Sequence, residues 1–202
     1  MRVRLMTGGL LPAYADGIRR VYAEAFSGPP WNEDPAAAGP YVERLMEDAL
    51  RPGFTAALAL YPAPGAPPRG VEGAVSGDEV GGFATAWTTP GVFPTDRSYG
   101  DVGRALGPER VSAWLCGALE VDELAVSPAA RGAGLGAALL TAVTAAAPDG
   151  RCWLPTSVHA EATLRFYRRA GWHRIPVTVP GKAGLTVLLG PGHPGADGLA
   201  HR

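Results

Sequence analysis

Apolar residues recur along the chain in two rhythms, one near 3.6 and one near 2 or continuous, and these mark where helices and strands should lie. Leu11, Ile18, Val21, Tyr22, Ala25 and Phe26 fall at helical spacing and predict a helix over residues 10–26. Ser27-Gly28-Pro29-Pro30 stops it. Val42, Leu45, Met46 and Ala49 share one stripe and predict a second helix over 35–50, ended by Arg51-Pro52-Gly53. Strand-length apolar runs occupy 3–6, 54–61, 80–88, 118–126 and 151–157. Leu135, Leu139, Leu140 and Val143 line one face of a helix expected over 132–147. Residues 161–170 read as a further helix closed by Gly171, and 172–179 and 182–189 as the last two strands.

Between these elements the pattern breaks. Residues 62–77 hold four Pro and four Gly and predict a flexible surface loop. Residues 90–115 read as an insertion with turn signals and one short helix near 108–115. The Gly/Pro-rich stretch 191–202 is expected to be a disordered tail. Mixed alternation of strands and helices implies an α/β protein with helices on both faces of one sheet, in a single domain over 1–190.

Composition narrows the function classes. Hydrophobic residues at 47% against 18% charged residues allow a buried core. Lys+Arg 18 against Asp+Glu 19 leaves a net charge of −1, which disfavours nucleic acid as the main partner. The longest nearly apolar run, 137–147, is well short of the ~20 residues a membrane span needs. The N-terminus carries no sustained apolar region of the signal-peptide type. The expectation is therefore a cytoplasmic protein with no membrane partner. Cys116 and Cys152 fit neither a disulfide framework nor a zinc site, so no metal is expected and both thiols read as small buried hydrophobes.

The most informative stretch is Glu120-Val-Asp-Glu-Leu-Ala-Val-Ser-Pro-Ala-Ala-Arg-Gly-Ala-Gly-Leu-Gly136. An expected strand ends at Val126, Ser127-Pro128 turns the chain, and Arg131-Gly132-Ala133-Gly134-Leu135-Gly136 opens an expected helix. Small residues let backbone approach a ligand closely. The first N–H groups of a helix have no internal partner, and the helix dipole adds positive potential, so this turn suits a pyrophosphate. With 28 Gly in 202 residues, a Gly-x-Gly-x-Gly run arises about 0.5 times by chance. Demanding Arg directly ahead lowers that to about 0.04. The spacing is neither the dinucleotide fingerprint nor a Walker loop.

Arg131-x-x-Gly134-x-Gly136 resembles motif A of the GCN5-related N-acetyltransferase (GNAT) family. The resemblance implies that the turn from Arg131 through Gly132, Ala133, Gly134, Leu135 and Gly136 to Ala137 binds the pyrophosphate of acetyl-coenzyme A. It implies that the backbone of Leu124, Ala125 and Val126 pairs with the pantetheine arm and polarises the thioester carbonyl. Thr163-Leu-Arg-Phe-Tyr-Arg-Arg-Ala-Gly-Trp172 resembles the family's second motif. There Tyr167 falls on the tyrosine that protonates the leaving thiolate, with Thr163 and Phe166 beside the coenzyme. A thiol and a phenol titrate at about 8.5 and about 10, so this proton transfer is only modestly uphill. Where the family usually has Asn seven residues before that Tyr, this chain has Ala160, and one polar coenzyme contact drops out. The two motifs span about 120–177. The fold they imply is a single-domain GNAT-like mixed, mostly antiparallel twisted sheet, with a helical insertion before the fourth strand.

An amine acceptor must lose a proton before it attacks. Strand alternation places Glu120 and Asp122 on one face, and in similar enzymes that face looks onto the acceptor, which nominates both as the base. Glu123, His159 and His173 are secondary candidates. Trp31 and Trp87, with Phe93 and Tyr99, are expected to wall an acceptor pocket. The expectation is an acetyl-CoA-dependent N-acetyltransferase acting on a small-molecule amine by direct attack in a ternary complex, with a homodimer as its assembly. A protein or peptide acceptor and a non-catalytic acyl-CoA-binding module are the alternatives.

Overall fold

The computed structural model describes residues 1–62, 78–147, 149–179 and 184–196. The expected loop therefore lies outside the described residues except for Pro62, and so does the last part of the expected tail. Among the described residues, seven strands form one sheet: β1 (Arg2–Met6), β2 (Thr55–Tyr61), β3 (Glu79–Thr88), β4 (Leu119–Val126), β5 (Cys152–Ser157), β6 (His173–Val179) and β7 (Leu185–Leu189). They hydrogen-bond in the order β1-β2-β3-β4-β5-β7-β6. The β1–β2, β5–β7 and β6–β7 pairs are antiparallel, and β4–β5 is parallel. The helices are α1 (Ala15–Phe26), α2 (Ala38–Asp48), α3 (Tyr99–Leu106), α4 (Pro108–Arg110), α5 (Leu135–Thr144) and α6 (Glu161–Arg169).

By contacts the chain divides into two compact units, 1–85 with 123–143 and 86–122 with 144–202. In the first, the continuous apolar runs of β2 and β3 are buried from Ala56 to Leu60 and from Val80 to Thr85, as strands covered on both faces require. Ile18, Val21 and Phe26 of α1 and Val42 and Leu45 of α2 pack into one core with Leu58, Leu60 and Phe83. Full burial of such side chains stabilises by about 1.5–3 kcal/mol each. Tyr22 stacks on Tyr41 with ring centroids 4.1 Å apart, which ties α1 to α2. Gly82 has a packing reason: a Cβ there would lie 2.9 Å from the Ala125 carbonyl oxygen and 3.1 Å from Leu139. The predicted helix over 10–26 starts as a 3-10 turn (Gly8–Tyr14) carrying Pro12, and becomes α-helical only at Ala15.

In the second unit, Tyr99, Val102, Leu106, Val111 and Leu115 pack with Trp153, Ile175, Val187 and Leu189. Two expectations need correction here. The insertion holds a helix, α3, that the sequence pattern did not reveal, because Gly100 and Gly103 lower its helix propensity while its buried face supplies the stability. The segment after Gly190 does not fray at once. Gly190 N donates to Cys152 O at 2.8 Å, His193 is buried, and Pro194–Ala196 forms a 3-10 turn. No helix among the described residues is long and apolar enough to cross a membrane.

Candidate active site

In the first unit, β4 ends at Val126 and is anchored at once. Ser127 N donates to Gly81 O at 3.0 Å, and Ser127 Oγ donates to Glu24 Oε2 of α1 at 2.6 Å. That hydroxyl, followed by Arg20, holds the Glu24 carboxyl below its ordinary range against the opposing effect of burial. A 3-10 turn, Pro128–Ala130, then leads into the Gly-rich segment. Arg131 Nε donates back to Val126 O at 3.3 Å. Gly132 and Gly134 have φ of +84° and +76°, and a Cβ at either would meet no atom within 4 Å. Both glycines are there for backbone conformation and not to relieve crowding inside the protein.

The segment from Arg131 to Gly134 is exposed, while Leu135, Leu139 and Leu140 bury one side of α5 and fix its start in place. The first helical bond runs from Ala138 N to Gly134 O at 3.1 Å. The N–H groups of Leu135, Gly136 and Ala137 therefore have no acceptor within the helix. Three donors and the positive end of a ten-residue helix sit beside two open, positive-φ glycines, and this backbone fits a diphosphate. The expected helix start at 132 moves to Leu135, since Gly132 and Gly134 are left-handed. Of the expected pantetheine-pairing residues, Ala125 is buried, and Leu124 and Val126 are half-buried. Trp31 is half-buried, edge-on to Phe26 at 5.7 Å, and packs on the core of this unit. Beside it, Tyr22 donates to Glu33 Oε2 at 2.7 Å. Burial, then that bond and the charge of Glu123, raise the Tyr22 hydroxyl far above its ordinary pKa.

The two nominated carboxylates lie in the second unit and are not equivalent. Glu120 pairs across the sheet with Trp153, and its side chain is buried. Its Oε2 accepts the Tyr99 hydroxyl proton at 2.6 Å, and the Tyr99 oxygen accepts Trp87 Nε1–H at 3.3 Å. Asp122 is half-buried, with Oδ1 4.0 Å from Arg97 Nη1. The Arg97 guanidinium also lies 5.7 Å over the Trp87 ring. Arg97 itself sits at φ +49°, an uncommon left-handed backbone for a residue other than glycine. Trp87, expected as a pocket wall, is fully buried and serves as a hydrogen-bond donor. Tyr99 is likewise buried, edge-on to Phe93 at 5.4 Å. Arg97 was missed by sequence reasoning; the spacing of Tyr99, Val102 and Leu106 was the available signal for the helix next to it.

In the same unit, α6 carries Thr163 and Tyr167 one turn apart on one face. Glu161 in its first turn and Arg168 and Arg169 in its last complement the helix dipole. Gly171, at φ +81°, lets Trp172 N return to Tyr167 O at 3.0 Å. The buried Tyr167 ring lies 5.7 Å from Trp172 and 5.1 Å from Phe166. Ala160 is buried at the N-cap with no side-chain cap. His159 is exposed and His173 half-buried. Burial raises the Cys116 thiol and pushes Cys152 up to about 11, so both are protonated at neutral pH.

Residues 95–174 match the family model described as the acetyltransferase (GNAT) domain. Solved structures share the fold at low identity. One is described as histone acetyltransferase HPA2 and related acetyltransferase, from Corynebacterium glutamicum ATCC 13032; it is 22% identical, with TM-score 0.58 over 95% of this chain and 97% of that one. YncA from Salmonella typhimurium, solved with its cofactor acetyl-CoA, is 19% identical with TM-score 0.53 over 94% and 92%. PaiA N-acetyltransferase from Thermoplasma acidophilum, in complex with coenzyme A, is 12% identical with TM-score 0.53 over 94% and 99%. No curated protein sequence matches the chain.

Proposed function

We propose that this chain, which shares the GNAT fold and whose residues 95–174 match that family's acetyltransferase model, moves an acetyl group from acetyl-CoA to a primary amine. The observation that carries the reading is the start of α5, where two open positive-φ glycines precede three N–H groups with no helical acceptor. The resemblance assigns the same backbone to the coenzyme's diphosphate.

Acetyl-CoA, when bound, supplies an activated thioester. The chain's residues then have separable tasks. Leu124, Ala125 and Val126 offer backbone N–H groups to the carbonyl oxygen, and Arg131 to Ala137 hold the diphosphate, with Thr163 and Phe166 beside the coenzyme. Glu120 takes the ammonium proton, directly or through a water. We assign the base to Glu120 rather than to Asp122, whose carboxylate faces the Arg97 guanidinium at 4.0 Å. Tyr167 gives its hydroxyl proton to the thiolate. The attack is direct, in a ternary complex. Trp87 takes part through its hydrogen bond to Tyr99 and not as a wall. A small-molecule amine is the acceptor class, since neither 26–31 nor 87–99 carries the acidic run that a polycationic peptide calls for.

The test is free-thiol release from acetyl-CoA across small amines and peptides, beside calorimetry of acetyl-CoA alone. Micromolar binding with turnover on a small amine supports the reading. Peptides outcompeting small amines would replace the acceptor class, binding without thiol release would mark an acyl-CoA-binding module, and no binding would overturn the assignment.

A further inference from the structure

Glu120 is held by a residue of the insertion. Tyr99 opens α3 and is 2% exposed. Its ring is clamped edge-on by Phe93 at 5.4 Å and lies 6.3 Å from Trp153, so the direction of its hydroxyl is fixed. Trp87 Nε1–H occupies the phenol oxygen from one side, which leaves the O–H to donate. It donates to Glu120 Oε2 at 2.6 Å, within the range of a charge-assisted bond. The carboxylate's backbone is set in turn by its pairing with Trp153, and Trp153 Nε1 is anchored on Thr89 Oγ1 at 2.8 Å.

We propose that Tyr99 is a positioning residue for the acetyl transfer: its hydroxyl orients Glu120 and keeps it ready to accept the amine's proton. This rests on the reading of Glu120 as the base. A carboxylate taken out of water favours its protonated form, and a hydroxyl donating to it favours the ionised one. Two positions along β4, Asp122 faces Arg97 of the insertion at 4.0 Å. On α3, Asp101 and Arg104 pair with each other at 2.8 Å at the surface. β5 carries no charged side chain.

The experiment compares Tyr99→Phe with the unsubstituted protein in two readouts. The first is the carbon-13 titration of the Glu120 carboxyl, assigned with Glu120→Gln, which needs no turnover. The second is the pH dependence of kcat/KM. Expected is a carboxyl midpoint higher by about one pH unit in Tyr99→Phe, and an acid limb moved the same way, with about a tenfold loss of kcat/KM on that limb. KM for acetyl-CoA should not change. An unmoved carboxyl midpoint overturns the proposal even if the rate falls. A moved midpoint with an unmoved acid limb reduces Tyr99 to a structural role and also overturns it. Absence of turnover in the unsubstituted protein instead sinks the acetyltransferase reading, and the positioning role with it, whatever the titration gives.

Discussion

His193 Nε2 lies 2.8 Å from the carbonyl oxygen of Trp114. Its Nδ1 accepts the Gly195 N–H at 3.0 Å, so the ring is neutral with its proton on Nε2. Burial holds the imidazole below its ordinary pKa, with the Trp114 bond partly opposing. The folded state therefore resists taking a proton that the unfolded chain accepts near about pH 6.5. The stability this residue contributes is present above that pH and is lost as pH falls towards the depressed folded value. The melting temperature should drop between about pH 7.5 and 5, and the drop should be shallower in His193→Gln. That variant should start about 1–3 kcal/mol less stable, since it disturbs two buried hydrogen bonds. Equal slopes from thermal melts would remove His193 from the pH response.

Gly134→Ala separates conformation from contact. The position is open, so the new methyl group meets nothing, yet φ of +76° costs a non-glycine residue about 1–2 kcal/mol. A relaxed turn would shift the N–H groups of 135–137, which we assign to the coenzyme's diphosphate. Acetyl-CoA affinity by calorimetry should fall about tenfold while the melting temperature changes by a few degrees. Gly91→Ala, also in open space but without a positive φ, should change neither.

The strands were legible because their apolar runs are continuous, as in 54–61 and 80–88, α5 because Leu135, Leu139, Leu140 and Val143 form one stripe, and α6 because Gly171 marks its end. The α3 helix was not, since its two glycines read as turn signals and its stability comes from burying Tyr99, Val102 and Leu106. The turn ahead of α5 was legible as a Gly-rich turn, because Gly132 and Gly134 answer a local backbone demand, though the helix begins three residues later than its pattern suggested. The environments of the carboxylates were not legible. Alternation along β4 puts Glu120 and Asp122 on one face, but it says nothing of Tyr99 and Arg97, which arrive from the insertion more than 20 residues earlier. The C-terminal segment was misread for a related reason: Gly and Pro at 190–195 suggested fraying, while one histidine buries itself against Trp114.

The cysteines should be chemically quiet in the folded protein. Cys152 is 4% exposed and pushed up to about 11 by burial, so its thiolate is scarce at neutral pH. Cys116 is less buried but shifted the same way, partly countered by Arg151. Iodoacetamide followed by mass spectrometry should label both sites slowly in the native state, Cys116 first, and rapidly in denaturant. Thiol-modified native protein should retain acetyl-CoA binding. Rapid native labelling of Cys152 would contradict its burial.

Tyr167→Phe tests the proposed proton donor with its ring contacts kept. The ring contacts with Trp172 and Phe166 survive the change, and the helix end is fixed by backbone bonds that the hydroxyl does not join. What is lost is the hydroxyl with its dissociable proton. General acid assistance of this kind contributes about 100-fold to 10,000-fold, so kcat should fall by at least about 100-fold with KM for acetyl-CoA held within a few-fold. The loss should depend on the leaving group: an acyl donor whose thiol is more acidic needs less protonation and should recover part of the rate. Comparing kcat for acetyl-CoA and for an acetyl thioester of lower thiol pKa, in both proteins, reads this directly. A uniform loss across donors would point to misplacement of the coenzyme, and unchanged turnover would remove Tyr167 from the chemistry.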